Sequence, residues 1–357
     1  MLKIFIRKTG TFIMTLANIG LDDGARSIKL FGSNDIRYMC DSYAKSGHPT
    51  EIVLNDQPKS QFLYHTDETE FVVGDISEPS PTTNDSYQYS KGNRVLVHHA
   101  LHKAGFTGKK VAVCVGVPYS LYYLPDGTVN KKVIQRKKRN LINKNVASEF
   151  GQVSIKKVDV IAECLAGWFH LALKVNGTGG VDIVTEVFHS SIGMVDVGGN
   201  SIDICSVSGG RIDNELSDTK KRSGMLMVYR EVRKLLTSKF GYDIDESDVR
   251  KAINKPKNDN YFMLLMGQEV NINDVVHQAM KTVANRIMDM VRDTLHDPNK
   301  FKAIYIFGGG AMALRKYLEE LMEDYPMIRF PKDPQFMNAR GMYKYLLMNQ
   351  AKKHAAA

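Results

Sequence analysis

Four cysteines in 357 residues, Cys40, Cys114, Cys164 and Cys205, are too few and too scattered for a disulfide scaffold. They form no CxxC pair, so a structural zinc site is not expected either, and a reducing compartment fits. No apolar run approaches the ~18 residues of a membrane span. Lys3, Arg7 and Lys8 ahead of Phe12-Ile13-Met14 loosely mimic a signal peptide, but no small-residue cleavage site follows. Residues 1–14 therefore read as an N-terminal extension, with Met14 an alternative start, and export is not expected. Common nucleotide signatures are missing as well. There is no G-x-x-x-x-G-K-[ST] and no G-x-G-x-x-G, because Gly177 and Gly179 lack the third glycine. P-loop and dinucleotide-binding folds are thereby disfavoured. His98 and His102 stand one helical turn apart, but position 99 is His where a zincin needs Glu.

What is present is an ordinary globular composition: 43% hydrophobic, 24% charged, and a net charge of +9. The length suggests about two domains. The densest positive runs are Arg136-Lys137-Lys138-Arg139 and Lys220-Lys221-Arg222. Such runs can meet nucleic acid or an acidic partner, although most are solvated helix faces.

Hydrophobic periodicity predicts strands at 15–21, 27–31, 110–117, 153–161, 193–197, 201–207 and 303–307. It predicts helices at 94–104, 131–143, 162–174, 224–239, 274–295, 311–323 and 338–348. Residues 33–90 read as polar and turn-rich, with a loop at Ser77-Glu78-Pro79-Ser80-Pro81. Residues from Lys352 onward read as a frayed end. Each half begins with strands joined by tight turns and continues with strands alternating with helices. That order implies an α/β protein with a mixed sheet in each half.

An internal repeat is the most informative feature. Asp22-Asp23-Gly24-Ala25-Arg26-Ser27-Ile28-Lys29-Leu30 and Asp196-Val197-Gly198-Gly199-Asn200-Ser201-Ile202-Asp203-Ile204 share Asp, Gly, Ser and Ile in one register. Each copy follows an apolar strand and precedes another, so a duplicated domain is the simple explanation. In a tight strand–turn–strand, successive N–H groups can converge on a phosphate oxygen. An Asp at the strand end offers a hard oxygen suited to Mg²⁺ or its waters. Two such hairpins facing each other can clamp a polyphosphate, and Lys29 adds a point charge. Gly308-Gly309-Gly310, between a predicted strand and a helix, lets backbone approach a ligand closely.

These hairpins, the crossover helix after Val160-Ile161-Ala162-Glu163 and the late glycine triplet resemble the actin/Hsp70/sugar-kinase superfamily. Thr82-Thr83-Asn84, Gln88-Tyr89-Ser90, Val97-His98-His99-Ala100-Leu101, Ile134-Gln135-Arg136-Lys137-Lys138 and Gly341-Met342-Tyr343 resemble one branch of it, the plasmid-segregating actin-like ATPases of the ParM (StbA) type. The resemblance runs from about residue 15 to 348. It implies an actin-like fold of two duplicated RNase H-like domains flanking a nucleotide cleft: residues 15–180 with 335–352, and residues 181–334. It further implies that Asp22 and Asp196 serve the metal, and that Glu163 is the carboxylate that positions the attacking water. Asp23, Gly24, Ala25, Arg26 and Lys29 would hold phosphate from one side, Gly198, Gly199 and Asn200 from the other. Gly308, Gly309 and Gly310 would line the adenine and ribose pocket. ATP or GTP with Mg²⁺ would be the cofactors. The implied function is a cytoplasmic, plasmid-encoded bacterial filament that moves plasmid DNA, with partners that are further copies of the chain and a ParR-type adaptor on a plasmid centromere. DNA contact would then be indirect, with no membrane involved.

The departures from the family are residues 1–13, which precede its usual start, and Ala25-Arg26, where small hydroxyl residues are common. A small-molecule kinase of the sugar-kinase type is the competing expectation, though no sugar-binding signature is visible. A nucleotide-binding scaffold without turnover is a third, against which Asp22, Asp196 and Glu163 stand together.

Overall fold

The repeat extends from the two hairpins to whole sheets. The computed structural model describes residues 16–51, 58–76, 79–258, 260–321 and 325–355. The expected extension, residues 1–14, lies outside them, as do Thr15, Ser77 and Glu78.

Domain I opens with β1 (Ala17–Asp23), β2 (Ser27–Gly32), β3 (Arg37–Asp41), β4 (Ala44–Ser46), β5 (Gln61–Thr66) and β6 (Thr69–Gly74). It continues through α1 (Lys91–Lys103), β7 (Lys110–Val117), α2 (Tyr119–Tyr122), α3 (Lys131–Leu141), β8 (Ala147–Ser148), β9 (Ser154–Ala162) and α4 (Glu163–Ala172). A hairpin of β10 (Leu173–Val175) and β11 (Val181–Ile183) and the short α5 (Thr185–His189) lead into domain II. There follow β12 (Ser191–Val197), β13 (Ser201–Ser208), β14 (Arg211–Lys221), α6 (Met225–Phe240), α7 (Glu246–Asn254), β15 (Phe262–Leu265), β16 (Gln268–Asn271), α8 (Asn273–Leu295), β17 (Ala303–Phe307), α9 (Gly309–Glu319) and β18 (Ile328–Arg329). The last helix, α10 (Met337–Ala355), returns to domain I.

The main sheets run β3-β2-β1-β7-β9 and β14-β13-β12-β17-β18. In both, the first three strands are antiparallel and the last two join in parallel. This is the mixed sheet expected for each half, built twice in one topology. Among the described residues no helix is long and apolar enough to cross a membrane.

Alternation along the strands explains the layers. In β7, Val111, Val113, Val115 and Val117 face the core shared with α1 and α3, while Ala112 and Cys114 face α10 and α4. Helix α4 lies between the two sheets, with Ala166 packed on the first side and Cys164 and Trp168 on the second. Helix α10 sits backbone-close to it. A Cβ on Gly341 would stand 1.7 Å from the Ala166 carbonyl oxygen, so only glycine fits there.

Several expectations are corrected. The described residues between 33 and 90 hold four strands, and β4, β6, β5 and β8 form a separate small sheet. Helix α1 starts at Lys91 because the Ser90 side chain caps it, accepting from Asn93 N at 3.0 Å. Helix α4 stops at Ala172, and Asn176-Gly177 sits in the turn of the β10–β11 hairpin. The backbone stays helical through Ala355 where fraying was expected.

The largest correction concerns charge. Lys137, from the middle of the basic run, is not solvated but fully buried. The run wraps a helix, and the position facing inward meets Asp23, also fully buried. Lys137 Nζ pairs with Asp23 Oδ2 and donates to Gln88 Oε1 at 2.6 Å and Asn93 Oδ1 at 3.1 Å. Asn93 Nδ2 donates to Asp23 Oδ2 at 2.8 Å. The pair therefore anchors the end of β1 to α3 and α1, directly beneath the first hairpin turn. Breaking one side of a buried pair leaves an uncompensated charge. Lys137→Met should cost about 3–5 kcal/mol in urea unfolding, and adding Asp23→Asn should recover most of it. A single variant as stable as the parent would contradict this account.

Candidate functional site

The two hairpin turns face each other across a cleft between the domains. One is Gly24-Ala25-Arg26, between β1 and β2, and the other is Gly198-Gly199-Asn200, between β12 and β13. The side chain of Asn200 donates to the Thr83 carbonyl at 3.2 Å, and Lys221 pairs with Asp85 at 2.8 Å, both across the cleft. Domain I also docks through the start of α2. Tyr119 N donates to Asp203 Oδ1 at 2.8 Å and Ser120 N to Thr219 Oγ1 at 2.9 Å.

Strand pleating decides what points into the cleft. Neighbours on a strand face opposite ways, so Asp22 and Asp23 cannot both reach it. Asp22 lines the cleft, and Asp23 is the buried partner of Lys137. The expectation that Asp23 holds cofactor is corrected accordingly. Asp22 is paired in register with Lys29, whose Nζ lies 3.0 Å from Asp22 Oδ2. In the second copy the same register pairs Asp196 with Asp203. A cation in one copy is thus replaced by a carboxylate in the other.

Glu163 opens α4, at the end of β9. It is buried against the cleft wall, and its Oε1 has no hydrogen-bond partner. Burial, followed by the charges of Asp203, Asp22 and Asp196, pushes its carboxyl well above the usual range. Burial, with Asp22 and Asp203 nearby, pushes Asp196 up to about 8. Lys29 and a 2.6 Å hydrogen bond from Asn338 Nδ2 work against that rise. For Lys29, burial opposes the charged form, but the Asp22 carboxylate, helped by Asp196 and Glu163, raises it overall. The floor of the cleft is thus a buried cluster of carboxylates, with the Lys29 ammonium bonded to one of them.

Of the other expected residues, Gly24, Ala25, Arg26, Gly198, Gly199, Asn200, Gly309 and Gly310 all line the cleft. Gly308 does not. It lies behind Asp196 with φ of 97°, and a Cβ there would stand 2.3 Å from Asp196 Oδ1. Its place in the base pocket is therefore corrected to support of Asp196.

Arg26, one of the departures from the family pattern, crosses the domain boundary. Its stem fills the space above Gly199, where a Cβ would come within 2.6 Å of Arg26 Cβ. Its guanidinium lies 5.6 Å from the Tyr229 ring centre and donates to Asn254 Oδ1, which also accepts from the Tyr229 hydroxyl at 3.0 Å. The first turn is further fixed by Ser42 Oγ on the Gly24 carbonyl at 2.7 Å and Thr82 Oγ1 on the Ala25 carbonyl at 2.6 Å.

Sequence reasoning missed Asn338, Asp203 and Gln88 as site residues. Asp203 was recoverable, because the repeat aligns it with Lys29. Gln88 and Thr82-Thr83-Asn84 stood among the stretches that carry the family resemblance, and all four line the cleft. Nothing local marks Asn338, which α10 brings back from 142 residues away.

Known proteins agree with this architecture. Residues 17–173 match the family described as plasmid segregation protein ParM, N-terminal. Residues 194–320 match that of the archaeal actin homologue MreB-like, C-terminal. No curated protein matches the chain by sequence. Among solved structures, the archaeal actin homologue Ta0583 superposes with a TM-score of 0.72 at 17% identity, over 95% of this chain and 100% of its own. Its complex with ADP gives 0.68 at 17%, over 95% and 100%. A 15-stranded ParM filament from Clostridium botulinum gives 0.71 at 19%, over 94% and 100%. The chain thus has the actin-like fold, with a first half similar to the N-terminal part of the plasmid segregation protein ParM and a second half similar to the C-terminal part of the archaeal MreB-like actin homologue.

Proposed function

We propose that the chain is a nucleoside triphosphatase whose turnover drives assembly and disassembly of a filament, and that the filament segregates plasmid DNA in the bacterial cytoplasm. The observation that carries this reading is the pair of facing hairpin turns with Asp22, Asp196 and Glu163 beneath them. Their N–H groups suit the phosphates of ATP or GTP from both sides, and Lys29 adds a fixed cation.

The donor set fits Mg²⁺ of a particular kind. Among the described residues no three His, Cys, Asp or Glu side chains converge as a metal cage. Magnesium commonly takes one or two carboxylates and completes its shell with phosphate oxygens and water. Asp22 and Asp196 supply those carboxylates, and the mutual repulsion around Asp196 is a charge excess that a divalent cation relieves. Bound there, the ion would neutralise phosphate charge. Glu163 holds the attacking water: its Oε1 is buried, unpartnered and at the cleft wall. Loss of the γ-phosphate removes what the two turns share, so the domain angle changes and subunit contacts weaken.

The ParM resemblance further supports an adaptor bound to a centromere-like DNA site as the link to the plasmid. Pelleting and light scattering with Mg²⁺-ATP and then ADP test the reading. Polymers with the triphosphate that fall apart with ADP are expected, and sugar-stimulated turnover without pelleting would instead indicate a kinase.

Glu163→Gln should slow phosphate release about 100-fold or more while leaving assembly intact, giving long-lived polymers in the same pelleting assay. Unchanged release would remove Glu163 from the chemistry. A second expectation concerns pH. An unfolded Asp ionises near 3.9, whereas folded Asp196 ionises at about 8. Between these values the native state keeps a proton that the unfolded chain has lost, so stability falls as pH rises. Asp196→Asn removes that penalty. Without nucleotide, its gain in melting temperature should be larger at pH 8 than at pH 5, while Mg²⁺-dependent hydrolysis is lost. A gain that shrinks toward pH 8 would contradict the assignment.

A further inference from the structure

The positive charge of the chain is concentrated in one segment. Residues 103–158 carry 12 Lys and Arg against 2 Asp and Glu, a net of +10, while the whole chain carries +9, leaving −1 for everything else. One of the 12, Lys137, is buried and neutralised by Asp23. Nearly all the others reach solvent.

They share one side of domain I. Helix α3 packs on β9, which is the outermost strand of its sheet. Lys131, Lys132, Arg136 and Arg139 are exposed along α3, and Lys156 is exposed on β9. The two elements meet where Asn143 N donates to the Ile155 carbonyl, and Lys156 Nζ donates to Asn143 Oδ1 at 3.3 Å. The preceding turn adds Lys109 and Lys110, joined to β9 by Ser154 N on the Lys109 carbonyl at 3.0 Å. Of the carboxylates nearby, Asp159 pairs with Lys157, Glu149 with Lys59 and Asp67 with Arg94, and Asp126 accepts from Thr128 within its own turn. Among the described residues, Lys131, Lys132, Arg136, Arg139 and Lys156 have no carboxylate within ion-pair distance.

We propose that this α3–β9 face binds the phosphate backbone of duplex DNA directly, without sequence preference. Three features select this occupant. The remainder of the chain is close to neutral, with 36 Lys and Arg against 37 Asp and Glu, so a second copy brings no net acidic charge to this face. Protein interfaces are anchored by buried aromatic and apolar groups. On this face the large exposed hydrophobics nearest to hand, Leu124 and Val129, lie beyond the start of α3 and not among the basic residues. Extended rows of Lys and Arg without apolar anchors match the repetitive charge of a duplex. One subunit alone binds weakly by such contacts, but a filament repeats the face at every subunit, and the contacts add along one DNA molecule. The polymer would then hold DNA along its side as well as through any adaptor.

The test is fluorescence anisotropy of the full chain with a labelled random-sequence duplex over a series of salt concentrations, without nucleotide. Its outcome is therefore independent of whether the cleft hydrolyses anything. The triple variant Lys132→Glu, Arg139→Glu, Lys156→Glu should weaken binding at least tenfold and reduce the salt slope by about three. Its control, Lys234→Glu, Lys281→Glu, Lys316→Glu, makes the same charge change on exposed positions of domain II and should bind nearly as the parent does. Equal loss in both variants would overturn the proposal, since only overall charge would then matter. No binding by the parent, or binding of poly-glutamate in preference to duplex, would overturn it too, the latter favouring an acidic protein. Should the variant fold poorly, lysine acetylation of the parent keeps the question open to refutation. Duplex must protect Lys132 and Lys156 but not Lys234 or Lys281, and equal protection refutes the face.

Discussion

Carboxylates crowded into a low-dielectric crevice repel one another, and this repulsion organises the molecule. Asp22, Asp196, Asp203 and Glu163 come from three strands and one helix of two domains, yet they lie close enough that, on top of burial, the charges of their neighbours raise the proton affinity of Glu163 and Asp196. Lys29 is the cation the chain places among them, bonded to Asp22. Such a cluster is costly to an empty protein. Under the proposed function it becomes favourable when a multiply charged ligand brings its own cation, so that the energy spent in the empty protein is recovered on binding.

The repeated topology explains how the cluster is assembled. Two copies of one sheet place equivalent turns and equivalent acids face to face, and the register that gives Lys29 in the first copy gives Asp203 in the second. Asp203 no longer serves as a counter-ion. It accepts hydrogen bonds from Tyr119 N and Thr219, tying domain I to domain II beside the cleft. Arg26 makes a second tie, from the first turn to Tyr229 and Asn254 on the helices of domain II. Each turn is thus connected both to the cleft and to the opposite domain, an arrangement that suits the proposed coupling of phosphate loss to domain motion.

Much of this was legible in the sequence, for reasons that are local. The alternating valines of β7 fix its ends at Lys110 and Val117, and Pro118 stops it. The repeated Asp-x-Gly turns name their own residues. What escaped was non-local. Strand β3, at the edge of the main sheet, has no fully buried residue, and β4, β5 and β6 form with β8 a small sheet whose pattern of burial is irregular, so no apolar alternation announces them. Lys137 looks like its neighbours in a basic run, and only the fold shows that its side chain meets Asp23. Asn338 supports Asp196 from the far end of the chain, and no spacing rule connects them.

Proton release on ligand binding tests the central claim most directly. Titration calorimetry of ATP into the protein at pH 7, with and without Mg²⁺, in phosphate and in Tris, reads it. If the buried carboxylates hold protons that the cation displaces, heat appears only with Mg²⁺ and differs between the buffers by the ionisation enthalpy of the protons released. A magnesium-independent signal, or the same heat in both buffers, would contradict the account.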